Sequence, residues 1–216
     1  SVESHPMSCQ VMLFSEFPFI FKRQLAYKGR EKIRYITYLC REKYFLTMRK
    51  TINCFIPYRE STAAEQTIHA LKESSIVNKI YLLNIEPNKT LSTPEGCEIL
   101  PVDSLTSSKT MKMIAEKADT PYILLYTKTS ALELAYKALE RMTDFLQDRE
   151  CGMVYADHHE WKNGEKKKHP VNDYQPGSVR DDFDFGPLLI FNRTEFILAS
   201  LQMTEERKYA ALYELR

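Results

Sequence analysis

The run Asp157-His158-His159-Glu160 sets two carboxylates and two imidazoles at the end of an apolar stretch. Such groups can hold an ion or move a proton near neutral pH. On a strand, neighbouring side chains point to opposite sides, so His158 and His159 cannot easily share one ligand. Asp157 and His159 can, but no third ligand is visible, and no metal centre is expected. The plain role of Asp157 is to cap a loop. A second cluster, Asp181, Asp182 and Asp184 beside Arg180, is the densest group of acids. One of these carboxylates can act as a general base if it reaches a reacting hydroxyl. Its plain alternative is a turn or an ion pair with Arg180. Lys162 and Lys166 to Lys168 flank an Asn163-Gly164 turn; lysines there usually form a solvated edge. His169 at the end of this run is expected to be solvated.

Several chemistries are disfavoured. Neither a G-x-G-x-x-G nor a G-x-x-x-x-G-K-[ST] phosphate loop occurs, and the chain has six glycines in 216 residues. No nucleophile elbow or Ser-His-Asp order is found. Five cysteines, at 9, 40, 54, 97 and 151, are odd in number and contain no C-x-x-C. That indicates neither a disulfide framework nor a zinc site; Cys54 and Cys151 lie in apolar runs and read as core residues. The net charge is +1, unevenly spread: residues 1–50 hold ten Lys/Arg against four Glu, the remainder 20 against 25 Asp/Glu. Nucleic-acid binding would have only the basic arm to support it, and the acidic body opposes it.

Stepping along the chain, residues 1–47 mix Phe, Tyr, Lys and Arg without a clean period. They are read as a basic N-terminal extension, with a helix at most over Glu31 to Phe45. Contact with an acidic lipid surface is the functional alternative. The stretch Val11 to Phe21 is too broken to span a bilayer. Met48 is a candidate natural start, which would leave 1–47 outside the native protein; peptides from 1–47 in the natural protein would refute this. A regular pattern begins after Met48. Strands are expected at Thr51 to Ile56, Lys79 to Asn84, Glu98 to Pro101, Pro121 to Tyr126, Cys151 to Ala156 and Pro187 to Phe191. Helices are expected from Thr62 to Ser74, with Ser61 or Thr62 as cap and a Thr62–Glu65 capping box, and from Ser107 to Ala118. A long helix from Ala131 to Asp148, capped by Thr129 or Ser130, should follow, then helices at Thr194 to Leu201 and from Glu205 to the end. Strand and helix alternate through 51–156, which gives a mainly parallel sheet with helices on both faces. Ligands in such sheets bind beyond the carboxyl ends of the strands. Those ends are Pro57 to Glu60, Asn84, Tyr126 to Thr129, and Asp157 to Glu160.

Ile56-Pro-Tyr-Arg-Glu60 at the first strand end resembles the opening of family 2 glycosyltransferases, and Gly152 to Asp157 with the following hairpin and Arg180 to Gly186 resembles the middle of a bacterial subgroup. Lys79 to Asn84, Tyr122 to Thr129, Gly152 to Asp157 and Arg180 to Gly186 extend the similarity over 51–216. The resemblance implies a GT-A fold, a three-layer α/β/α sandwich with a mostly parallel central sheet, in a domain spanning 48–216. It implies transfer of a sugar, hexosyltransferase-like, from a nucleotide-diphosphate donor to a glycan or lipid-linked acceptor, as in polysaccharide biosynthesis. A catalytically inactive nucleotide-sugar or glycan binding protein of the same fold is the alternative. A cytoplasmic location follows, with peripheral contact at the inner face of the membrane. Pro57, Tyr58, Arg59, Glu60, Asn84, Thr127, Lys128, Thr129 and Asp157 would meet the donor. Arg59 would touch the diphosphate or base, unless it only pairs with Glu60 or Glu65 at the surface. Asp181 or Asp182 would be the catalytic base. Two departures stand out. The family's Asp-x-Asp, which holds Mg²⁺ or Mn²⁺, reads Thr127-Lys128-Thr129 here. Hydroxyls and an ammonium do not replace the charged carboxylates that hold these ions there, so a metal is doubtful, and Lys128 either neutralises the diphosphate itself or merely faces solvent. The family's acceptor-side segment is not matched near Glu205 to Arg216, which suggests a chain incomplete at its C-terminus.

Overall fold

The computed structural model describes residues 8–11, 50–86, 91–149, 151–162, 164–171, 184–203 and 206–215. Strands are β1 (Ser8–Val11), β2 (Ile52–Pro57), β3 (Val77–Asn84), β4 (Cys97–Pro101), β5 (Tyr122–Tyr126), β6 (Ala131–Leu134), β7 (Met153–Tyr155), β8 (His158–Lys162), β9 (Glu165–His169) and β10 (Leu188–Asn192). Helices are α1 (Thr62–Glu73), α2 (Ser108–Lys117), α3 (Ala138–Arg149), α4 (Arg193–Gln202) and α5 (Ala211–Glu214). Among the described residues no helix is long and apolar enough to cross a membrane.

The fold is α/β. Its central sheet has six strands in the order β4-β3-β2-β5-β10-β7. β4, β3, β2 and β5 are mutually parallel, while β10 runs antiparallel to both β5 and β7. Successive side chains of β2 show why two helical layers are needed. Cys54 and Ile56 join Ala64, Ile68 and Leu71 of α1 and Leu139, Met142 and Leu146 of α3 in one core. Phe55, between them, points to the other face, with Met111, Ile114 and Ala115 of α2, Phe196 of α4 and Ala211 of α5. There its ring stacks on Tyr81 at 4.7 Å. All six residues of β2 are buried, as expected of a central parallel strand. Cys54 is fully buried, but Cys151, expected in the core, is only half-buried.

Local chemistry sets the helix ends. Ser61 caps α1, its hydroxyl accepting the Ala64 N–H at 3.2 Å. The cap therefore lies one residue before Thr62, and the expected Thr62–Glu65 box is not the one used. Ser107 caps α2 in the same way, accepting from Thr110 N at 3.2 Å. Ala64, Ile68 and Leu71 are buried as their spacing predicts, and so are Met111, Ile114 and Ala115.

The main correction concerns Ala131 to Asp148. The expected single helix is a strand, β6, followed by α3. Its apolar residues suit either state, and two tertiary contacts decide between them. Leu132 N–H donates to Thr67 Oγ1 of α1 at 3.0 Å, and β6 pairs with β1 in parallel. Lys137, with φ of 51°, turns the chain into α3, which starts at Ala138 rather than after Thr129 or Ser130. The last helix is also shorter than expected, Ala211–Glu214 instead of a run from Glu205.

β6 belongs to a second sheet, ordered β6-β1-β8-β9. β8 and β9 form the expected hairpin, with Lys162 opposite Glu165 and Gly164 at φ +81°; Asn163 lies outside the described residues. Of the segment 1–47, the described residues are those of β1, which lies between β6 and β8 in this sheet. The expected helix over Glu31 to Phe45 lies outside the described residues.

Candidate functional site

From β2 the chain adds β3 and β4 on one side, then crosses to place β5 on the other. The strand order thus reverses between β2 and β5, and their carboxyl ends open a crevice there. Pro57 ends β2, next to Leu83 of β3, and Asn84 ends β3, next to Pro101 of β4. Thr127 follows β5, its N–H donating to Pro187 O at 2.9 Å just ahead of β10. Asp157 comes two residues after the end of β7. Neighbouring strands stand about 5 Å apart, so one sheet edge carries Pro57 to Glu60, Asn84, Thr127 to Thr129 and Asp157. Asp181 and Asp182, the expected catalytic base, lie outside the described residues. Asp184 is described, and its carboxylate accepts the Gly186 N–H at 2.8 Å.

Much of this edge is braced by its own chain. Tyr58 is buried, and its hydroxyl donates to Ser92 O at 3.0 Å. Burial pushes that phenol's pKa up. Glu60 accepts from both Ser92 N and Ser92 Oγ, at 2.7 and 2.8 Å. Arg59 is exposed and pairs at 3.5 Å with Glu86. Asn84 is buried and closes a local turn, accepting from Glu86 N and donating to Glu86 O. Thr127 hydrogen-bonds Pro187 O through its hydroxyl as well, while Thr129 is exposed. Asp157 accepts the Val171 N–H at 2.7 Å and so ties the base of the β8–β9 hairpin.

Lys128 is the exception, because it reaches between sheets. Its ammonium holds Glu160 Oε1 on β8. Glu160 and His158 lie two apart on that strand and face the same side. His158 Nε2 stands 3.6 Å from the same Oε1. Across the hairpin, His169 is paired with His158 in register, and the rings stack at 4.8 Å. Gly186 closes the other side: a Cβ there would lie 3.2 Å from His158 Nδ1. The His158 ring is 1 % exposed. Burial first, then His169, lower its pKa, with Glu160 raising, Lys128 lowering and Asp184 raising it in turn.

Spacing alone indicated that His158 and His159 diverge, and they do; His159 is likewise held below its ordinary pKa, chiefly by burial. His169 is exposed, as expected, and also stacks on His158; what sequence reasoning missed is the role of Glu160 as partner to Lys128. The His158–His169 pairing follows from period-2 alternation on β8 combined with the Asn163-Gly164 turn, which fixes who faces whom.

Thr127-Lys128-Thr129 does not fit a divalent metal: one hydroxyl is committed to a carbonyl and the ammonium is cationic. Among the described residues no group of three or more His, Cys, Asp or Glu is arranged to hold one. A cleft of about 390 Å³ lies at the β4 end of the edge, lined by Pro101, Asp103, Lys109 and Glu116 among others, not over the β2–β5 crevice. We place the candidate site at the crevice, where the charged groups and the strand reversal coincide.

Neither a family model nor a curated protein matches the chain. Among solved structures, the bifunctional IspDF from Campylobacter jejuni is similar at 11% identity and a TM-score of 0.41. The match covers 76% of this chain and 46% of that one, so the chain spans about half its length.

Proposed function

We propose that the chain is a GT-A-like glycosyltransferase of the family 2 type. It takes a sugar from a nucleotide-diphosphate donor and passes it to a glycan or lipid-linked acceptor. One observation carries this reading: the strand reversal between β2 and β5 gathers Pro57 to Glu60 and Thr127 to Thr129 at one crevice. That is where a doubly wound sheet receives a nucleotide. Arg59 and Lys128 are cations at that edge among the described residues, and Asp157 is a carboxylate within it. In the reaction the acceptor hydroxyl gives its proton to a carboxylate, for which Asp181 and Asp182 are the candidates. Its oxygen bonds to the anomeric carbon, and the bond from that carbon to the diphosphate oxygen breaks. The nucleoside diphosphate leaves with the electron pair, stabilised by nearby cations. Peripheral contact with a membrane surface would suit a lipid-linked acceptor.

The test is a thermal-shift panel of nucleotide sugars with and without Mn²⁺. Stabilisation independent of Mn²⁺ is expected, and Lys128→Met should reduce it. Stabilisation only with Mn²⁺ would contradict a charge role for Lys128, and no response to any nucleotide sugar would overturn the reading. A non-catalytic binder of the same ligands is the second reading, favoured by the commitment of Asp157 and Glu60 to holding the chain itself. It would bind nucleotide sugars yet release no nucleoside diphosphate with any acceptor.

A further inference from the structure

Lys128 and Glu160 carry opposite charges and hold one another. Together they bring no net charge to an anion, and a carboxylate left beside phosphate oxygens would repel them. His158 is placed to change this balance. Neither Nδ1 nor Nε2 has a hydrogen-bond partner among the described residues, and the ring is 1 % exposed. A buried polar group without a partner costs folding free energy and marks a place where something else is to happen. Nε2 lies 3.6 Å from the oxygen that Lys128 holds. Closing that gap by roughly half an ångström would make it an N–H···O bond.

We propose that Lys128, Glu160 and His158 form a proton-coupled latch for an anionic ligand: when phosphate oxygens draw Lys128 off Glu160, His158 takes up a proton and replaces it as the cation on Glu160 Oε1. The latch rests on the nucleotide-diphosphate reading above. One proton moves from solvent to the imidazole, no other covalent bond changes, and the three groups pass from net zero to net +1. They thereby supply the positive charge that a metal gives when an Asp-x-Asp is present.

Among the described residues, four charged or titratable groups bear on its titration. Glu160 lies on its own strand, Lys128 follows β5, His169 stacks from β9, and Asp184 precedes β10. Lys167 of β9 and Cys9 of β1 stand opposite Glu160 in register. Burial, His169 and Lys128 oppose protonation, while Glu160 and Asp184 favour it. Withdrawing Lys128 removes one opposing charge, while Glu160 and Asp184 still favour the proton. The bound form then holds more protons than the free form, so affinity rises as the pH falls.

Histidine-ring NMR on the full chain, from about pH 5 to about pH 8, tests this directly; His158→Gln identifies the resonance. Lys128→Met should raise the His158 midpoint by about one unit, and Glu160→Gln should lower it. UDP-glucose and GDP-mannose are the ligand probes, since their diphosphates carry no ionisable proton in that range. Each that binds should raise the His158 midpoint, and its affinity should rise by up to about tenfold per pH unit on acidification. His158→Gln should abolish that pH dependence. An unmoved midpoint in Lys128→Met overturns the latch. So does ligand binding that leaves the midpoint where it was, although the nucleotide-sugar reading would then stand. If neither probe binds, the latch is overturned and the result counts against the reading itself.

Discussion

At the scale of single residues, the surroundings of His158 are the most telling feature. Gly186 has φ of +84°, and a methyl group there would meet His158 Nδ1 at 3.2 Å and Cε1 at 3.4 Å. Gly164 has a similar φ, +81°, but open space around it. Both substitutions to Ala should cost about 1–2 kcal/mol for the left-handed backbone alone. Gly186→Ala should cost more than Gly164→Ala, because it also displaces the ring. Equal losses in urea unfolding would mean that the ring has room to move. Stability should also depend on pH. In the folded chain His158 and His159 titrate below their ordinary value of 6.5, chiefly through burial. As the pH falls through that value the unfolded chain binds protons first. Stability is therefore full above it and declines below it, toward the folded-state values. Urea midpoints taken at about pH 7.5 and pH 5.5 should show the decline, and His158→Gln should lessen it. An identical slope in the variant would place the acid sensitivity elsewhere.

At the scale of elements, the legible parts were those whose identity is local. The start of α1 at Ser61 or Thr62, the start of α2 near Ser107 and the apolar stripe of α1 could be read directly. So could the buried strand over Ile52 to Pro57, because spacing and side-chain chemistry specify them without help from distant residues. The hairpin was legible through its Asn163-Gly164 turn. Ala131 to Leu134 was not, because helix and strand are decided there by partners 65 residues away in Thr67 and far earlier in β1. The site divides the same way. Strand ends marked Pro57 to Glu60 and Thr127 to Thr129, but the grip of Lys128 on Glu160 joins two sheets, and no local pattern announces it. Thr67→Val tests the element that was missed. Its hydroxyl, buried with the residue at 2 % exposure, accepts from Leu132 N. Without it that N–H loses its partner, at a cost of about 1–3 kcal/mol. Hydrogen exchange at Leu132 should accelerate in the variant more than at Leu139 or Met142 in α3. Uniform acceleration across both segments would contradict a separate β6.

At the scale of the whole molecule, the six-stranded sheet and the four-stranded sheet divide the labour. The first supplies the crevice at the β2–β5 reversal, and the second carries Glu160, His158 and His169 up to it. β1 joins the parts of the second sheet, pairing in parallel with β6 and antiparallel with β8. A chain beginning at Met48 would lack that strand. Two strand edges would then face one another with their backbone groups unpaired, a condition that invites both exchange and aggregation. Among the described residues no ladder of the central sheet involves a residue before Ile52, so those ladders should persist. Comparing residues 48–216 with the full chain by hydrogen exchange should therefore show faster exchange in β6 and β8, with β2, β3 and β5 little changed. The His158 ring should also become more accessible in the shorter chain, because β8 loses its inner neighbour. Its titration midpoint should then move up toward the ordinary value as burial is relieved. Unchanged protection in β6 and β8 would mean that the pairing with β1 contributes nothing to the second sheet. The placement of Lys128 against Glu160 would then depend on the β8–β9 hairpin and the turn at Gly186 alone.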